Sequence, residues 1–262
     1  TISAVDRESV WSHYQANYRP KDLVITAAGG IDHAELLELV TSNLEKAGWD
    51  LAVPISPRSW RNKVLSPEAA GASVKIIKRP IAQANIVIGN PGLVGSDERR
   101  YAMAILNTVL GGGMSSRLFQ EIREKRGLAY SVYSFNQGYS DGAAFGLYTG
   151  CSPAKAKEVT KLMLEELEKI ANQGITMDEL NLAKGNISGG LALKFESTQA
   201  RMSRLSSAEL TDGEFIDLDE ALARFDSVSL EDVQKVAQTM AKAEHSFVAV
   251  GDLSEDLFDE FR

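Results

Sequence analysis

Residues 111–137 read GGGMSSRLFQEIREKRGLAYSVYSFNQ and combine a glycine turn, a short helix and a strand. Ser115 or Ser116 can cap the helix, because a hydroxyl there can accept from the unpaired backbone N–H groups of the first turn. Gly127 lies where a left-handed residue commonly ends a helix. The apolar face of this helix consists of Leu118, Phe119 and Ile122. The pattern predicts a helix of about three turns, and we expect the rest of the chain to hold this unit in place.

A strand follows the helix, because two sets of residues that include aromatic and β-branched side chains alternate at a period of two. One set is Tyr130, Val132 and Ser134, and the other is Ser131, Tyr133 and Phe135. Tyr130 opens this strand. Only residues 138–141 separate it from a second predicted strand, Gly142–Thr149, so the two strands should pair antiparallel.

The charges on the helix differ in their opportunities for pairing, because residues three or four apart are neighbours on a helix surface. Glu121 can pair with Arg117 and with Lys125, whereas no acid of the helix stands at those spacings from Arg123. A free guanidinium near the hydroxyl of Tyr130 suits a carbonyl or carboxylate of a bound peptide. The alternative is that Arg123 is a solvated surface arginine and Tyr130 a core aromatic.

Composition excludes several classes of function. The 262 residues carry a formal net charge of -8, which opposes nucleic-acid phosphates, and no basic patch is interleaved with aromatic residues, so we expect no nucleic-acid partner. No apolar run approaches the roughly 18 residues of a membrane span, and we expect neither a membrane span nor a signal peptide. The single cysteine, Cys151, excludes an internal disulfide and a cysteine-based zinc site and fits a reducing, cytoplasmic location.

The N-terminal segment predicts a helix, a strand and a second helix without a sheet of their own. The first helix lies within residues 5–18, where Ser3 and Asp6 have the spacing of a capping box. Its apolar face consists of Val10, Trp11, Tyr14 and Tyr18. An apolar strand, Leu23–Ala28, precedes the second helix, which Asp32 caps.

The hydrophobic pattern dissolves between residues 51 and 72, which hold three of the seven prolines and predict an interdomain linker. We therefore divide the chain into a segment 1–50, this linker and a domain 73–262. The predicted elements of that domain, besides the central unit, are strands Val74–Lys78, Asn85–Gly89 and Phe247–Val250, and helices Asp97–Leu110, 153–173, 178–194, 198–211 and Ser229–Ala241. Strands grouped beside runs of helices predict an α+β fold rather than alternating βαβ units.

A short sequence pattern near the start of the chain recurs near its end, and we call this internal repeat the echo. Val5, Glu8 and Val10 recur at one constant offset as Val228, Glu231 and Val233. In both copies a short connection leads to an apolar strand that ends in glycine, at Gly29 or Gly251. The echo predicts the end of one repeat followed by the whole of a second, and by that symmetry about 150 residues would precede Thr1.

The segment REKRGLAY, residues 123–130, resembles the arginine-tyrosine motif in the C-terminal domain of the pitrilysin family of zinc metallopeptidases, in particular bacterial members similar to mitochondrial processing peptidase. The resemblance continues through NPGL at 90–93 and ESTQARMSRL at 196–205 and covers nearly the whole chain. It implies a domain with a mixed, mainly antiparallel sheet covered by helices, preceded by the C-terminal fragment of a duplicated copy. It also implies that Arg123 and Tyr130 orient the backbone of a peptide substrate and support the developing oxyanion.

Zinc peptidases of this family carry H-x-x-E-H on a helix, and none of the three histidines here stands in such a motif. The triple glycine also lacks the GK[ST] of a nucleotide-binding loop. We therefore expect no metal ligand, no other cofactor and no peptidase activity in this chain alone. Zinc would be held by the missing N-terminal half of the parent protein, which would be a partner of this chain, beside the peptide substrate and a possible homodimer mate.

Another hypothesis is that the parent protein is a non-catalytic partner subunit or scaffold of the same fold that has lost its metal ligands. The upstream sequence discriminates between the two readings, because an intact H-x-x-E-H supports the peptidase and a degenerate one supports the scaffold.

Overall fold

A computed structural model describes residues 2–52, 72–139, 142–212 and 215–261. In chain order the helices are α1 (Arg7–Asn17), α2 (His33–Lys46), α3 (Arg100–Gly111), α4 (Ala156–Gln173), α5 (Met177–Glu196), α6 (Thr198–Ser207), α7 (Leu218–Asp226) and α8 (Leu230–Lys242). The strands are β1 (Val74–Lys78), β2 (Ala84–Pro91), β3 (Ala129–Gly138), β4 (Ala143–Cys151) and β5 (Ser246–Gly251).

The described residues divide into two compact units, one within 1–61 and 193–215 and the other within 62–192 and 216–262. Most of the predicted linker, 53–71, lies outside the described residues. The division of the chain at 50 and 73 therefore stays a prediction.

In the smaller unit, helix α1 begins one turn later than a Ser3 cap requires. Asp6 is the N-cap, and its carboxylate accepts from the backbone N–H of Ser9 at 2.8 Å. The capping box predicted with Ser3 is wrong, because Ser3 lies inside a short 3-10 helix, Ile2–Ala4. Asp32 caps α2 as predicted, since its carboxylate accepts from the N–H of Glu35 at 3.0 Å.

The predicted strand Leu23–Ala28 is not one in the described structure. Leu23 has extended backbone angles, with φ -81° and ψ 128°, but no ladder forms along residues 23–28 within the described ranges. The hydroxyl of Thr26 instead donates to the carbonyl of Met202 at 3.2 Å. The prediction is wrong because an extended segment becomes a strand only when a neighbouring strand satisfies its backbone groups.

The larger unit is built on a five-stranded sheet in the order β1-β5-β2-β4-β3. Strands β1 and β5 are parallel, and the other neighbouring pairs are antiparallel. The α+β class with a mixed, mainly antiparallel sheet is thus confirmed. The predicted antiparallel pairing of the strands now numbered β3 and β4 is confirmed as well. Strand β3 is an edge strand, and it directly follows the central helix.

Helices α3, α4 and α8 cover one face of this sheet and enclose the core. The strand side chains in that core include Ile86, Ile88, Val132, Phe145, Leu147, Phe247 and Ala249, and the helical ones include Ile105, Leu106, Val159, Met163, Ile170, Val233 and Met240. Capping boxes precede helices α5 and α8, because Thr176 and Ser229 each exchange hydrogen bonds with the acid three residues on. Helix α7, which Asp217 caps, was not predicted.

Candidate functional site

The central helix is shorter than predicted and ends in a π-helical segment. Residues 117 and 118 are α-helical, and Phe119–Glu124 is a π-helix in which the N–H of Lys125 donates to the carbonyl of Gln120, five residues back, at 2.9 Å. The hydroxyl of Ser116 donates to the carbonyl of Gly113 at 2.6 Å, and the residue that precedes the π-helical segment, Leu118, makes no side-chain capping bond. Gly127 has φ 61° and ends the segment in the left-handed region as predicted.

Strand β3 begins with a bulge that decides where the ring of Tyr130 lies. Ala129 faces Cys151 and Ser131 faces Gly150 on β4, so Tyr130 is an extra residue without a partner in the register. Strict alternation would have grouped Tyr130 with the buried Val132. Tyr130 is instead 79% exposed, because a bulge shifts the alternation by one residue. The reading of Tyr130 as a core aromatic is therefore wrong.

Arg123 and Tyr130 lie together. The centre of the Arg123 guanidinium lies 4.8 Å from the centroid of the Tyr130 ring and 4.7 Å from that of Phe119. These distances are within the range of cation–π attraction. Phe119 was expected only on the apolar face of the helix and not at the site, although an aromatic residue four positions before an arginine on a helix was a usable signal. Two rings thus hold the guanidinium in place.

Arg123 keeps most of its hydrogen-bonding capacity. The carboxylate that approaches it in the described part of the chain belongs to the adjacent Glu124, whose Oε1 is 3.9 Å from Nε and beyond hydrogen-bond range. The expectation that no acid of the helix neutralises Arg123 therefore needs the correction that Glu124 is a weak ionic neighbour. The side chain of Arg123 is 37% exposed, so its N–H groups are accessible to a ligand.

Arg117, six residues earlier, has a different environment. Its guanidinium donates two hydrogen bonds to the carboxylate of Glu179, at 2.7 and 2.9 Å, and a weaker one to the carbonyl of Gly174. The hydrogen bond from Arg117 holds the pKa of the Glu179 carboxyl below its ordinary value. Glu121 pairs with Lys125 at 2.6 Å, as predicted, but not with Arg117. That half of the predicted pairing is wrong, because Glu179 is a better placed acceptor than Glu121.

Zinc does not fit the residues of this chain that the structure describes. No group of three or more histidine, cysteine, aspartate or glutamate side chains comes together among them to hold a metal ion. Helix α3 contributes buried apolar side chains to the core, namely Met103, Ile105, Leu106 and Leu110. His245, near the edge of the core, has a pKa that burial lowers, and its Nδ1 is 3.3 Å from the Asn90 amide nitrogen. We therefore assign no metal ligand in the described residues.

Among the described residues, no helix combines the length and the apolar character needed to cross a membrane. The cytoplasmic location stays a prediction.

Comparisons with known proteins identify relatives of the whole chain. Residues 4–187 match the family model described as the Peptidase M16 inactive domain. An uncharacterized zinc protease of Streptomyces coelicolor is 43% identical over 258 residues, which cover 97% of this chain and 55% of that protein. Another, from Mycobacterium bovis, is 34% identical over 253 residues, which cover 96% of this chain and 56% of that protein.

A solved structure supports the same fold. A protease from Helicobacter pylori superposes with a TM-score of 0.82 at 21% identity, over 95% of this chain and 60% of that chain. At this identity the likeness shows the fold alone. The chain spans about half the length of the curated relatives it matches.

Proposed function

The chain belongs to the M16, or pitrilysin, family as its inactive domain, and on that premise we propose that it is the non-zinc-binding part of a zinc metalloendopeptidase. In this proposal Arg123 and Tyr130 bind the backbone of the peptide substrate and support the oxyanion that develops at the scissile carbonyl. The metal and the general base would belong to the remainder of the parent protein. The described residues offer no set of ligands for zinc, so the proposal assigns them only to substrate binding and oxyanion support.

The observation that carries the proposal is the exposed guanidinium held against two aromatic rings. A planar fork of N–H donors can bind a carbonyl or carboxylate oxygen with defined geometry. Stacking on Phe119 and Tyr130 restricts the rotamers of Arg123 before any ligand arrives, so less side-chain entropy is lost on binding. Donors preorganised in this way can stabilise charge that develops in a transition state.

The decisive experiment uses the full-length parent enzyme with Arg123→Ala and Tyr130→Phe. If these groups act on the transition state, both kcat and kcat/KM should fall, and loss of one preorganised donor typically costs about 10²–10³ in kcat. Tyr130→Phe removes only the hydroxyl and leaves the ring that contacts Arg123. Arg123→Lys keeps the charge but loses the planar fork, so its turnover should lie between wild type and alanine.

Zinc content and melting temperature provide the controls and should stay near the wild-type values in all three variants. Unchanged kcat in both Arg123→Ala and Tyr130→Phe, with normal zinc content, would leave Arg123 as surface charge and Tyr130 as an exposed ring. A parent whose upstream part lacks an intact H-x-x-E-H and cleaves no peptide would instead support the scaffold reading.

A further inference from the structure

We infer that the sheet face opposite the helices is a specificity surface for an uncharged aromatic or large apolar side chain of the peptide, with Tyr133 as its main contact. This inference rests on the proposed function and names the substrate class of the same site. We call this surface the open face. Its central row runs across all five strands as Lys75, Val248, Val87, Tyr148 and Tyr133.

The open face differs from the helix-covered face in exposure. Tyr133 is 42% exposed and Val248 is 38% exposed, whereas Ala249 and Val132, their neighbours on the other face, are buried. The ring of Tyr133 lies 4.8 Å from that of Tyr148 and 6.5 Å from that of Phe135, so the aromatic groups form one continuous patch. Aromatic rings at such distances offer both edges and faces to an incoming apolar group.

The shape of the patch comes from glycines that lie next to it. Gly89 and Gly146 face each other across β2 and β4 on the open face, and Gly146 faces Phe135 on β3. The ring of Phe135 occupies the space that a side chain at Gly146 would need. Phe135 therefore fills a gap in the sheet, while Tyr133 remains the more available ring. The result is a shallow aromatic surface.

The polarity of the patch narrows the class of side chain that it can accept. Between β5 and β3 the central row carries no charged group, and its one cation, Lys75, lies on the far edge strand. The hydroxyl of Tyr148 already donates to the side-chain oxygen of Asn85 at 2.8 Å. A charged side chain placed here would lose hydration without gaining an ionic partner. The patch should therefore prefer phenylalanine, tyrosine or leucine over lysine, aspartate or alanine.

The bulge connects this patch to the proposed catalytic pair and so identifies a peptide as the occupant. Because Tyr130 is the extra residue of the bulge, its ring lies on the same side as Ser131 and Tyr133 rather than with Val132. Tyr133 lies three residues along the strand, which is about 10 Å at the rise of an extended chain. An extended peptide whose carbonyl meets Arg123 would thus bring a side chain two to four residues away over Tyr133.

The test measures peptide selectivity of the full-length parent enzyme. Pairs of peptides that differ only by phenylalanine or alanine, at each of positions two to four residues on either side of the cleaved bond, compete for the wild type. We expect about a tenfold preference for phenylalanine at one of these positions, at the low end of discrimination by hydrophobic sites because the surface is open. Tyr133→Ser should reduce this preference to about twofold, and Tyr133→Phe should retain it.

Tyr139→Ser is the matched control, because Tyr139 is also an exposed tyrosine, just beyond the end of β3 and outside the patch. It should leave the preference unchanged. If Tyr133→Ser fails to fold, Tyr133→Leu keeps an apolar surface and should give an intermediate preference. The inference is overturned if the wild type shows no preference above twofold at any position, or if Tyr133→Ser leaves the preference intact.

Failure of this inference and failure of the proposed function give different results. Selectivity unaffected by Tyr133→Ser, together with a loss of kcat in Arg123→Ala, removes the specificity surface and leaves the proposed function standing. Unchanged kcat in both Arg123→Ala and Tyr130→Phe, with normal zinc content, removes the proposed function itself, whichever peptide is used.

Discussion

Arg117 and Arg123 stand six residues apart on one helical segment and illustrate two uses of the same side chain. Arg117 is 20% exposed and gives two short hydrogen bonds to Glu179, which also accepts from the backbone of Thr176. Arg123 is 37% exposed and lies against aromatic rings, and its acidic neighbour among the described residues, Glu124, is 3.9 Å away. An arginine whose donors are satisfied within the fold stabilises structure. An arginine held in position with its donors unsatisfied is available for binding.

Removing Arg117 should change stability far more than removing Arg123. Arg117→Ala leaves the half-buried carboxylate of Glu179 without its main donor, and we expect the free energy of unfolding to fall by about 2 kcal/mol. The measurement is urea denaturation of the purified chain followed by far-UV circular dichroism. Arg123→Ala is the matched control and should stay within about 0.5 kcal/mol of wild type. Equal losses in the two variants would contradict the division of roles.

Double-mutant cycles measure how strongly each arginine is coupled to its acidic neighbour. The cycle of Arg117→Ala with Glu179→Ala should give a coupling energy of about 1.5 kcal/mol, because the two side chains share two aligned hydrogen bonds. The cycle of Arg123→Ala with Glu124→Ala should give about 0.3 kcal/mol, as for an exposed pair without a hydrogen bond. A coupling of Arg123 with Glu124 as large as that of Arg117 with Glu179 would show that Arg123 is a structural residue after all.

The smallest expected effect is the pH dependence of the Arg117 pair. Arg117 lowers the pKa of Glu179 in the folded state, so the pair contributes its full stability above the unfolded-state pKa. That contribution is lost as the pH falls through the folded-state pKa. The stability difference between wild type and Arg117→Ala should therefore shrink on acidification below the ordinary glutamate range. A difference that stays constant or grows in urea titrations at decreasing pH would contradict this linkage.

Sequence patterns predicted the features whose deciding interactions are local. The positive φ at Gly127, the antiparallel pairing of β3 with β4 and the cap at Asp32 all depend on residues close in sequence. Helix spacing likewise showed that no acid stands three or four residues from Arg123, but it did not reveal the adjacent Glu124 as an ionic neighbour at 3.9 Å. The partner of Arg117 was not, because Glu179 is 62 residues away and only the tertiary fold brings it near.

The features that the sequence patterns did not predict correctly also have physical causes. A period of two cannot reveal a bulge, so the exposed position of Tyr130 was missed. The segment 23–28 has strand composition, but strand formation depends on a partner that its own residues do not specify. Helix α7 is short, and the acidic residues at its start resemble a solvated face. A role of Arg123 and Tyr130 in substrate binding is a proposal that rests on the family resemblance and on their contact at 4.8 Å.

The π-segment and the bulge have a common consequence for how this site tolerates change in chain length. Each inserts one residue beyond the regular ladder, the first just around Arg123 and the second at Tyr130. Deleting one residue from the helix would turn the following side chains by about 100°. Deleting Ala129 would place Tyr130 opposite Cys151 and so move its ring to the helix-covered face. Single-residue gaps at these two places should thus separate relatives that retain the site from those that retain only the fold, even where the arginine and tyrosine are both still present.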